Sequence, residues 1–75
     1  MEGKKIITNA IIDLFGTGMD IDFNLPYEDT GLDSMSLFMI LNEIENISKI
    51  RIHVNKLNNI NTLNKLSIYL DEFLN

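Results

Sequence analysis

The sequence predicts an all-α fold: a bundle of three main helices plus one short helix, with a long loop after the first helix. Apolar residues recur at helical spacing in three separate stretches. Residues suited to capping a helix precede two of these stretches. The one stretch that alternates like a strand, residues 50–54, has no second strand with which to pair. With 75 residues, of which 45% are hydrophobic, we expect one domain over residues 1–75 with a single small core.

The first helix is expected over residues 4–15. Its apolar residues recur at spacings of three, four and one, and they form the predicted inward face: Ile6, Ile7, Ala10, Ile11, Leu14 and Phe15. Gly16 and Gly18 follow and predict its end. The connection over residues 17–33 is long for so small a domain, which predicts that it packs down or carries function. Leu25 and Tyr27 are its expected anchors on the core.

The second helix is expected to begin at Ser34 and to end at residue 46 or 47, with Asp33 or Ser34 as its cap. The apolar positions of this stretch predict an inward stripe of five residues: Leu37, Ile40, Leu41, Ile44 and Ile47. An extended connector is expected over residues 50–54, and the short helical turn over residues 56–59.

The last helix is expected to begin after a cap at Asn61 or Thr62. It runs to about Phe73 in this interpretation. Its apolar spacing predicts that four residues point inward: Leu63, Leu66, Leu70 and Phe73.

Charge and composition exclude several classes of function. The formal net charge is −5, and six Lys and Arg residues against eleven acidic ones make nucleic acid an unfavourable partner. The chain has no cysteine, which removes disulfides, thiolate metal sites and cysteine nucleophiles. No apolar run is long enough for membrane insertion. Residues 1–5 lead into an amphipathic segment without a signal-peptide pattern, so we expect a soluble cytoplasmic protein.

One motif stands out at the foot of the second helix, where residues 31–35 read Gly-Leu-Asp-Ser-Met. The hydroxyl of Ser34 is expected to be exposed at the first turn, where the backbone N–H groups lack intrahelical partners. Such a place favours an anion and suits a phosphate especially well. The motif therefore offers one prepared site for a phosphate ester, Ser34, with an ordinary helix cap as the alternative.

The sequence contains no arrangement typical of an enzyme or of a dedicated metal site. His53 is a lone histidine without an acid or a serine arranged around it. The run from Asp20 through Asp22 to Asn24 imitates the start of a calcium loop. It fails at its sixth position, which is Leu25 where glycine is needed, and at its twelfth, which lacks the bidentate glutamate. Weak cation binding by this acidic loop is the metal-sensing alternative.

Taken in this order, the elements resemble an acyl carrier protein of the phosphopantetheine-binding family, from one end of the chain to the other. The resemblance is carried by the long first loop, the motif at residues 31–35 and the helix after it, the connector at Ile52, and the Ile-Asn-Thr-Leu entry to the last helix at residues 60–63. It implies that a phosphopantetheinyl transferase moves 4′-phosphopantetheine from coenzyme A onto Ser34. The thiol of this arm would carry an acyl or aminoacyl group as a thioester.

The resemblance also implies a carrier and not an enzyme. Such a protein delivers tethered intermediates to loading and condensing enzymes, because tethering raises the effective concentration at each of them. A monomer is the expected form. Asp33 would contact the transferase, Gly31 would allow close approach of the loop to the helix, and Met35 and Phe38 would form an apolar docking patch.

Other residues receive expected roles from the same resemblance. The acyl chain would lie near Ile52 and Ile60. Glu43 and Glu45 are candidates for partner docking, with a solvated helix face as the alternative. Fatty acid carriers usually have acidic residues at the start of this helix, whereas here no charge follows Ser34 until Glu43. This departure favours a specialised carrier of a polyketide, peptide or other natural-product pathway.

A second departure lies at the end of the helix. Ser48 occupies a place where the family usually has a bulky apolar residue, and Ile47 is expected to supply that contact.

The sequence leaves three hypotheses of function besides the metal-sensing alternative. They are an acyl carrier of fatty acid or polyketide-type biosynthesis, a stand-alone aminoacyl or peptidyl carrier, and an unmodified interaction module that binds a protein through Met35, Phe38 and Met39.

Overall fold

Three α-helices make up the fold in a computed structural model that describes residues 2–52 and 59–74. They are α1 (Glu2–Phe15), α2 (Ser34–Ser48) and α3 (Leu63–Leu74). Within the described ranges no strand forms, and a single β-bridge joins Pro26 to Thr62. The all-α prediction is therefore confirmed. The expectations for His53, for the rest of the connector and for the helical turn at residues 56–58 lie outside the described residues.

The core lies where α1 packs against both α2 and α3. The apolar spacing of each helix explains why, since the residues at helical period fall on one face and become fully buried together. The residues of this centre are Ile7, Ala10, Ile40, Ile44, Leu63, Leu66 and Leu70. Within the described residues, no helix is long and apolar enough to cross a membrane.

The start of α1 lies close against the second half of α3. A Cβ atom added at Gly3 would collide with the backbone carbonyl oxygen of Ser67. The Gly3 N–H also donates to Asp71 Oδ1 at 2.7 Å. Glycine is therefore required here because two helix backbones approach each other, and this contact ties the two helices together.

The loop between α1 and α2 packs down onto the start of α3. The carbonyl oxygen of Phe23 accepts a hydrogen bond from Asn64 N at 2.9 Å, and Tyr27 N donates to Asn61 O at 3.0 Å. Both side chains also pack partly buried against the core. Tyr27 is thus an anchor, as predicted. Leu25 is exposed, so that prediction is wrong, and Phe23 takes its place.

A 3₁₀ turn at Tyr27–Asp29, which the residue pattern of the loop does not predict, shortens the second half of the loop. Thr30 closes the turn, because its hydroxyl donates to Tyr27 O at 2.7 Å and also accepts from Leu32 N at 3.3 Å. Leu32, two residues before α2 begins, is buried in the core. The two hydrogen bonds of Thr30 and the burial of Leu32 therefore fix the direction in which the chain enters α2.

For two residues the prediction of an inward side chain is wrong, and both residues lie near the ends of their helices. Ile47 in α2 and Phe73 in α3 are 37% and 55% exposed. Phe73 lies beyond Asp71, which already faces the first turn of α1, so no described helix remains to cover the ring. Its ring instead contacts Tyr69 edge-on, with 5.1 Å between ring centroids. Ser67 completes the buried face of α3, and its hydroxyl donates to Asn64 O.

Candidate functional site

The site begins at the first turn of α2, where Ser34 is the first helical residue and is exposed to solvent. Asp33 is the N-cap, because its Oδ1 accepts from Ser36 N at 2.7 Å and its carbonyl accepts from Leu37 N at 3.0 Å. This settles the choice between the two predicted caps. The N–H groups of Ser34 and Met35 have no hydrogen-bond partner among the described residues, so they remain available beside the hydroxyl.

The electrostatics of this turn follow from the cap. The hydrogen bond from the backbone N–H of Ser36 lowers the pKa of the Asp33 carboxyl below its usual value, with a further contribution from the Ser36 side chain. Asp33 is therefore charged at neutral pH and is held in place next to Ser34. The helix N-terminus carries partial positive charge, which the carboxylate partly offsets.

Gly31 has a different role from the one predicted. No atom lies within 4 Å of a Cβ built at this position, so close approach is not what requires glycine. Its φ of 89° is the reason, because residues with a side chain rarely adopt that conformation. Gly31 thus turns the chain between the 3₁₀ turn and the cap of α2.

An open cavity of about 460 Å³ adjoins Ser34 and extends along α2. Positions 34, 37, 38, 41, 42 and 45 follow one another at helical spacing, so they form one continuous face of the helix. The described residues that line the cavity are Ser34, Leu37, Phe38, Leu41, Asn42, Glu45 and Ile52. Its wall is apolar in the middle, and its polar groups lie at the two ends. Ile52 therefore lines a cavity, whereas Ile60 packs against the core and is not among these residues.

Beside the cavity, α2 presents three exposed apolar side chains, Met35, Phe38 and Met39, which we call the α2 patch. Met35 is 69% exposed and Phe38 54%, in agreement with the prediction that neither belongs to the inward stripe. Met39 is also exposed. No charged residue interrupts α2 from Ser34 to Asn42. A partner that meets this surface therefore meets apolar groups first, with Asp33 at one side.

The two glutamates of α2 differ in their surroundings, although both are half-buried. Glu45 Oε2 accepts a hydrogen bond from Ile52 N at 2.6 Å, across the end of the helix. The carboxylate of Glu45 therefore holds the chain that follows α2 against the cavity. The structure gives no hydrogen bond of this kind to Glu43 within the described residues.

The end of α2 explains why a serine occupies position 48. The Ser48 hydroxyl donates to Ile44 O at 2.6 Å and accepts from Ile50 N at 3.2 Å. Lys49 adopts a left-handed conformation with φ of 61°, and its N–H donates to Glu45 O. The chain thus turns sharply and brings Ile52 back to Glu45. Ile47 does not substitute for a bulky residue here, because it points to solvent.

The acidic stretch in the first loop forms a turn of its own. Asp22 Oδ1 accepts from Asn24 N at 2.9 Å, which is the hydrogen bond of an Asx turn. Within residues 2–52 and 59–74, no three or more His, Asp or Glu side chains group together as potential metal ligands. Asp22 and Asn24 thus have a local structural role in this turn.

The site can be tested for its fit to a phosphate ester on Ser34. The hydroxyl is exposed, two backbone N–H groups beside it have no partner within residues 2–52 and 59–74, and an open cavity begins at the same residue. These features suit a phosphate with a long substituent, which a buried or fully bonded hydroxyl would not. The residues present therefore fit a 4′-phosphopantetheine group at this position.

Comparison with known proteins agrees with this geometry. No curated protein and no solved structure matches the chain. A family model for the phosphopantetheine attachment site does match it, over residues 5–70. The match includes all of α2, the loop before it and most of α1 and α3. Because it covers far more than half of the chain, the protein belongs to the phosphopantetheine attachment site family, in which 4′-phosphopantetheine is attached covalently.

Proposed function

We propose that the protein is an acyl carrier protein whose attachment residue is Ser34. In this proposal residues 1–75 act as one carrier domain, in monomeric form. The arm supplies a thiol that holds an acyl group as a thioester, and the domain delivers this group to enzymes of fatty acid or polyketide-type biosynthesis. The observation that carries the proposal is the exposed Ser34 hydroxyl at the first turn of α2, at the mouth of an apolar cavity.

The loading step requires a phosphopantetheinyl transferase and coenzyme A. Ser34 Oγ forms a bond to the phosphorus that bears the pantetheine group, and the pyrophosphate P–O bond of coenzyme A breaks. Adenosine 3′,5′-bisphosphate leaves, and a base on the transferase takes up the hydroxyl proton. The N–H groups of Ser34 and Met35 are placed to donate to the new phosphodiester. No group of the chain is asked to catalyse a step, which accords with the non-catalytic role usual for carrier domains.

Docking is proposed to use the α2 patch together with Asp33. Methionine suits a surface that accepts several partners in turn, because its side chain adapts to different shapes. Phe38 both belongs to the patch and lines the cavity, so it joins the surface to the place where the arm begins. Glu43 remains a proposed partner contact. Glu45 holds Ile52 within the protein, so we expect its effect on docking to be smaller.

Two observations bear on the pathway. The uncharged start of α2 supports a specialised carrier over a fatty acid carrier that is recognised through acidic residues. A stand-alone aminoacyl or peptidyl carrier is the second candidate, and the polar groups at the far end of the cavity, Asn42 and Glu45, favour it. Ile52 is proposed to contact the cargo, since it lines the same cavity.

Intact-mass spectrometry tests the proposal. The protein is incubated with coenzyme A and a broad-specificity transferase, and we expect the mass to rise by one phosphopantetheine group. Ser34→Ala should abolish the increase, whereas Ser36→Ala, two residues along the same turn, should retain it. A wild-type mass that does not change would favour the unmodified interaction module, which would use the same α2 patch without the arm.

A further inference from the structure

The far end of the cavity carries polar groups that attachment at Ser34 does not use. Along α2 the face begins with the Ser34 hydroxyl, continues with Leu37, Phe38 and Leu41, and ends with Asn42 and Glu45. An apolar cavity with a few fixed polar groups is typical of a site that selects its ligand. We propose that the Glu45 end of this cavity binds the ammonium group of an aminoacyl cargo. The assignment rests on the proposed loading of Ser34 and favours its aminoacyl candidate.

Distance along the helix places these groups at the right depth. Glu45 follows Ser34 by eleven residues, which corresponds to about 16 Å at the helical rise per residue. An extended phosphopantetheine arm is roughly 20 Å long from its ordinary bond lengths. A cargo on the thiol of an arm that lies along the cavity therefore comes beside Glu45 and Ile52, not beside the apolar middle.

The carboxylate is also held in a defined position. Its Oε2 accepts from Ile52 N at 2.6 Å, and the side chain is half-buried. A positioned carboxylate can form a charge-assisted hydrogen bond with an ammonium group, which is stronger than a bond between neutral groups. A cargo that ends in a carboxylate would meet like charge at the same place, and a plain alkyl group would leave the carboxylate without a new partner.

Cationic side chains near Glu45 would compete with the ammonium group of the cargo for its carboxylate. The described lining of the larger cavity contains no cation. Lys49 and Arg51 line a separate, smaller cavity of about 220 Å³ that Glu45 also borders. These two side chains are exposed, so water and salt screen their attraction for the carboxylate. The site on the larger cavity is more apolar, which strengthens an ammonium contact there.

Three isosteric cargoes test the assignment. Alanyl, lactyl and isobutyryl groups share one arrangement of non-hydrogen atoms and differ only in whether the α-carbon bears an ammonium, a hydroxyl or a methyl group. Each is linked to the arm by an amide in place of the thioester, loaded onto Ser34 from the matching coenzyme A analogue, and checked by intact mass. The amide proton of Ile52 reports on the site directly, because it is hydrogen-bonded to Glu45.

We expect the alanyl group to shift the Ile52 amide resonance well beyond the lactyl and isobutyryl groups. Glu45→Gln keeps an oxygen that accepts from Ile52 N but removes the charge, so the alanyl shift should fall to the lactyl level. Glu72→Gln makes the same change of charge on an exposed position of α3 and should leave the alanyl shift intact.

The other outcomes each overturn something definite. Equal shifts from all three cargoes, or a lactyl shift as large as the alanyl one, would overturn the ammonium assignment while Ser34 loading stands. An alanyl shift that survives in Glu45→Gln would do the same. Failure of all three analogues and of coenzyme A itself to load would overturn the proposed function, and the assignment with it.

Discussion

Phe38 on α2 and Phe73 on α3 expose nearly equal fractions of their side chains, 54% and 55%. Their neighbourhoods differ. Phe38 lines the cavity that begins at Ser34, whereas Phe73 contacts Tyr69 of its own helix edge-on. Exposure alone therefore does not identify a docking surface. An exposed ring beside a cavity and an exposed hydroxyl supports a functional role, whereas the exposure of a ring at a helix end follows from the lack of neighbouring residues there within the described ranges.

The two helices also differ in how the rest of the chain holds them. Both pack on α1, but α3 is tied to it through the backbone contact at Gly3. The first loop also holds the start of α3, because Asn64 N donates to Phe23 O and Tyr27 N donates to Asn61 O just before the helix. At the start of α2, the cap at Asp33 is local. We therefore expect changes around α3 to act on stability and changes in the α2 patch to act on loading.

The largest expected effect is at Gly3. A methyl group in Gly3→Ala would meet the carbonyl of Ser67, which cannot move without disturbing α3, so we expect a loss of about 2–3 kcal/mol in the free energy of unfolding. Gly18→Ala is the matched control, because nothing lies within 4 Å of a Cβ there, and it should change stability by less than about 0.5 kcal/mol. Urea unfolding measures both. Equal stability of the two variants would contradict the close contact of α1 and α3.

Next comes the pair of phenylalanines. Phe38→Ala should lower kcat/KM for loading by the transferase about tenfold, equivalent to about 1.4 kcal/mol, because it removes the centre of the α2 patch. Phe73→Ala should leave loading within about twofold, and its loss of the contact with Tyr69 should cost about 1 kcal/mol of stability. Steady-state loading kinetics and urea unfolding separate the two effects. If both variants load equally poorly, the docking role of the α2 patch fails.

A smaller effect is expected in alkaline solution. Burial raises the pKa of Tyr27 to about 12 from the ordinary value of 10.0. Folding favours the neutral form of the Tyr27 hydroxyl. The contribution of this preference to the free energy of unfolding is therefore complete below pH 10 and is lost as the pH rises from 10 towards 12. Tyr27→Phe should lose less stability than wild type over that interval. A parallel decline in both proteins would place the Tyr27 hydroxyl in water.

The smallest effect concerns the cap of α2. Hydrogen bonding from Ser36 lowers the pKa of Asp33, so the charged cap contributes stability above the ordinary pKa of 3.8 and loses it as the pH falls through the lowered value. Asp33→Asn retains an acceptor without a titration, and its helix start should be insensitive to pH in that range. NMR titration of the Asp33 carboxyl checks the sign. A pKa at or above the ordinary value would contradict the bond to Ser36.

Much of this fold is predictable because helix signals are local. The end of α1 at Phe15, the start of α2 at Ser34 and the start of α3 after Thr62 follow from apolar spacing and caps. The predictions that Ile47 and Phe73 point inward are wrong, because burial near a helix end depends on where the neighbouring helices stop. Apolar spacing within one helix carries no information about where the others end. The prediction for Leu25 is wrong for a related reason. Phe23, and not Leu25, anchors the loop, because a loop residue becomes an anchor only through its tertiary partners.

In the candidate site, too, local features were predictable and tertiary contacts were not. Exposure of Ser34 was predictable from its place at the start of a helix. For Met35 and Phe38 the helical spacing left core packing as an alternative, and the structure shows both side chains exposed. The bond from Ile52 N to Glu45 was not predictable, because it joins residues seven apart across a helix end that Ser48 and Lys49 turn back on itself. Ser48 was a signal in the sequence for this turn, because a serine hydroxyl near a helix end can hydrogen-bond to the backbone on both sides of it.

The most direct test of the central claim is to map the arm on the loaded protein by fragment-ion mass spectrometry. We expect all of the added mass to lie on Ser34, in wild type and in the Ser36→Ala variant alike. Added mass on Ser36 or Ser48, or a wild-type protein that a broad-specificity transferase leaves unmodified, would contradict it.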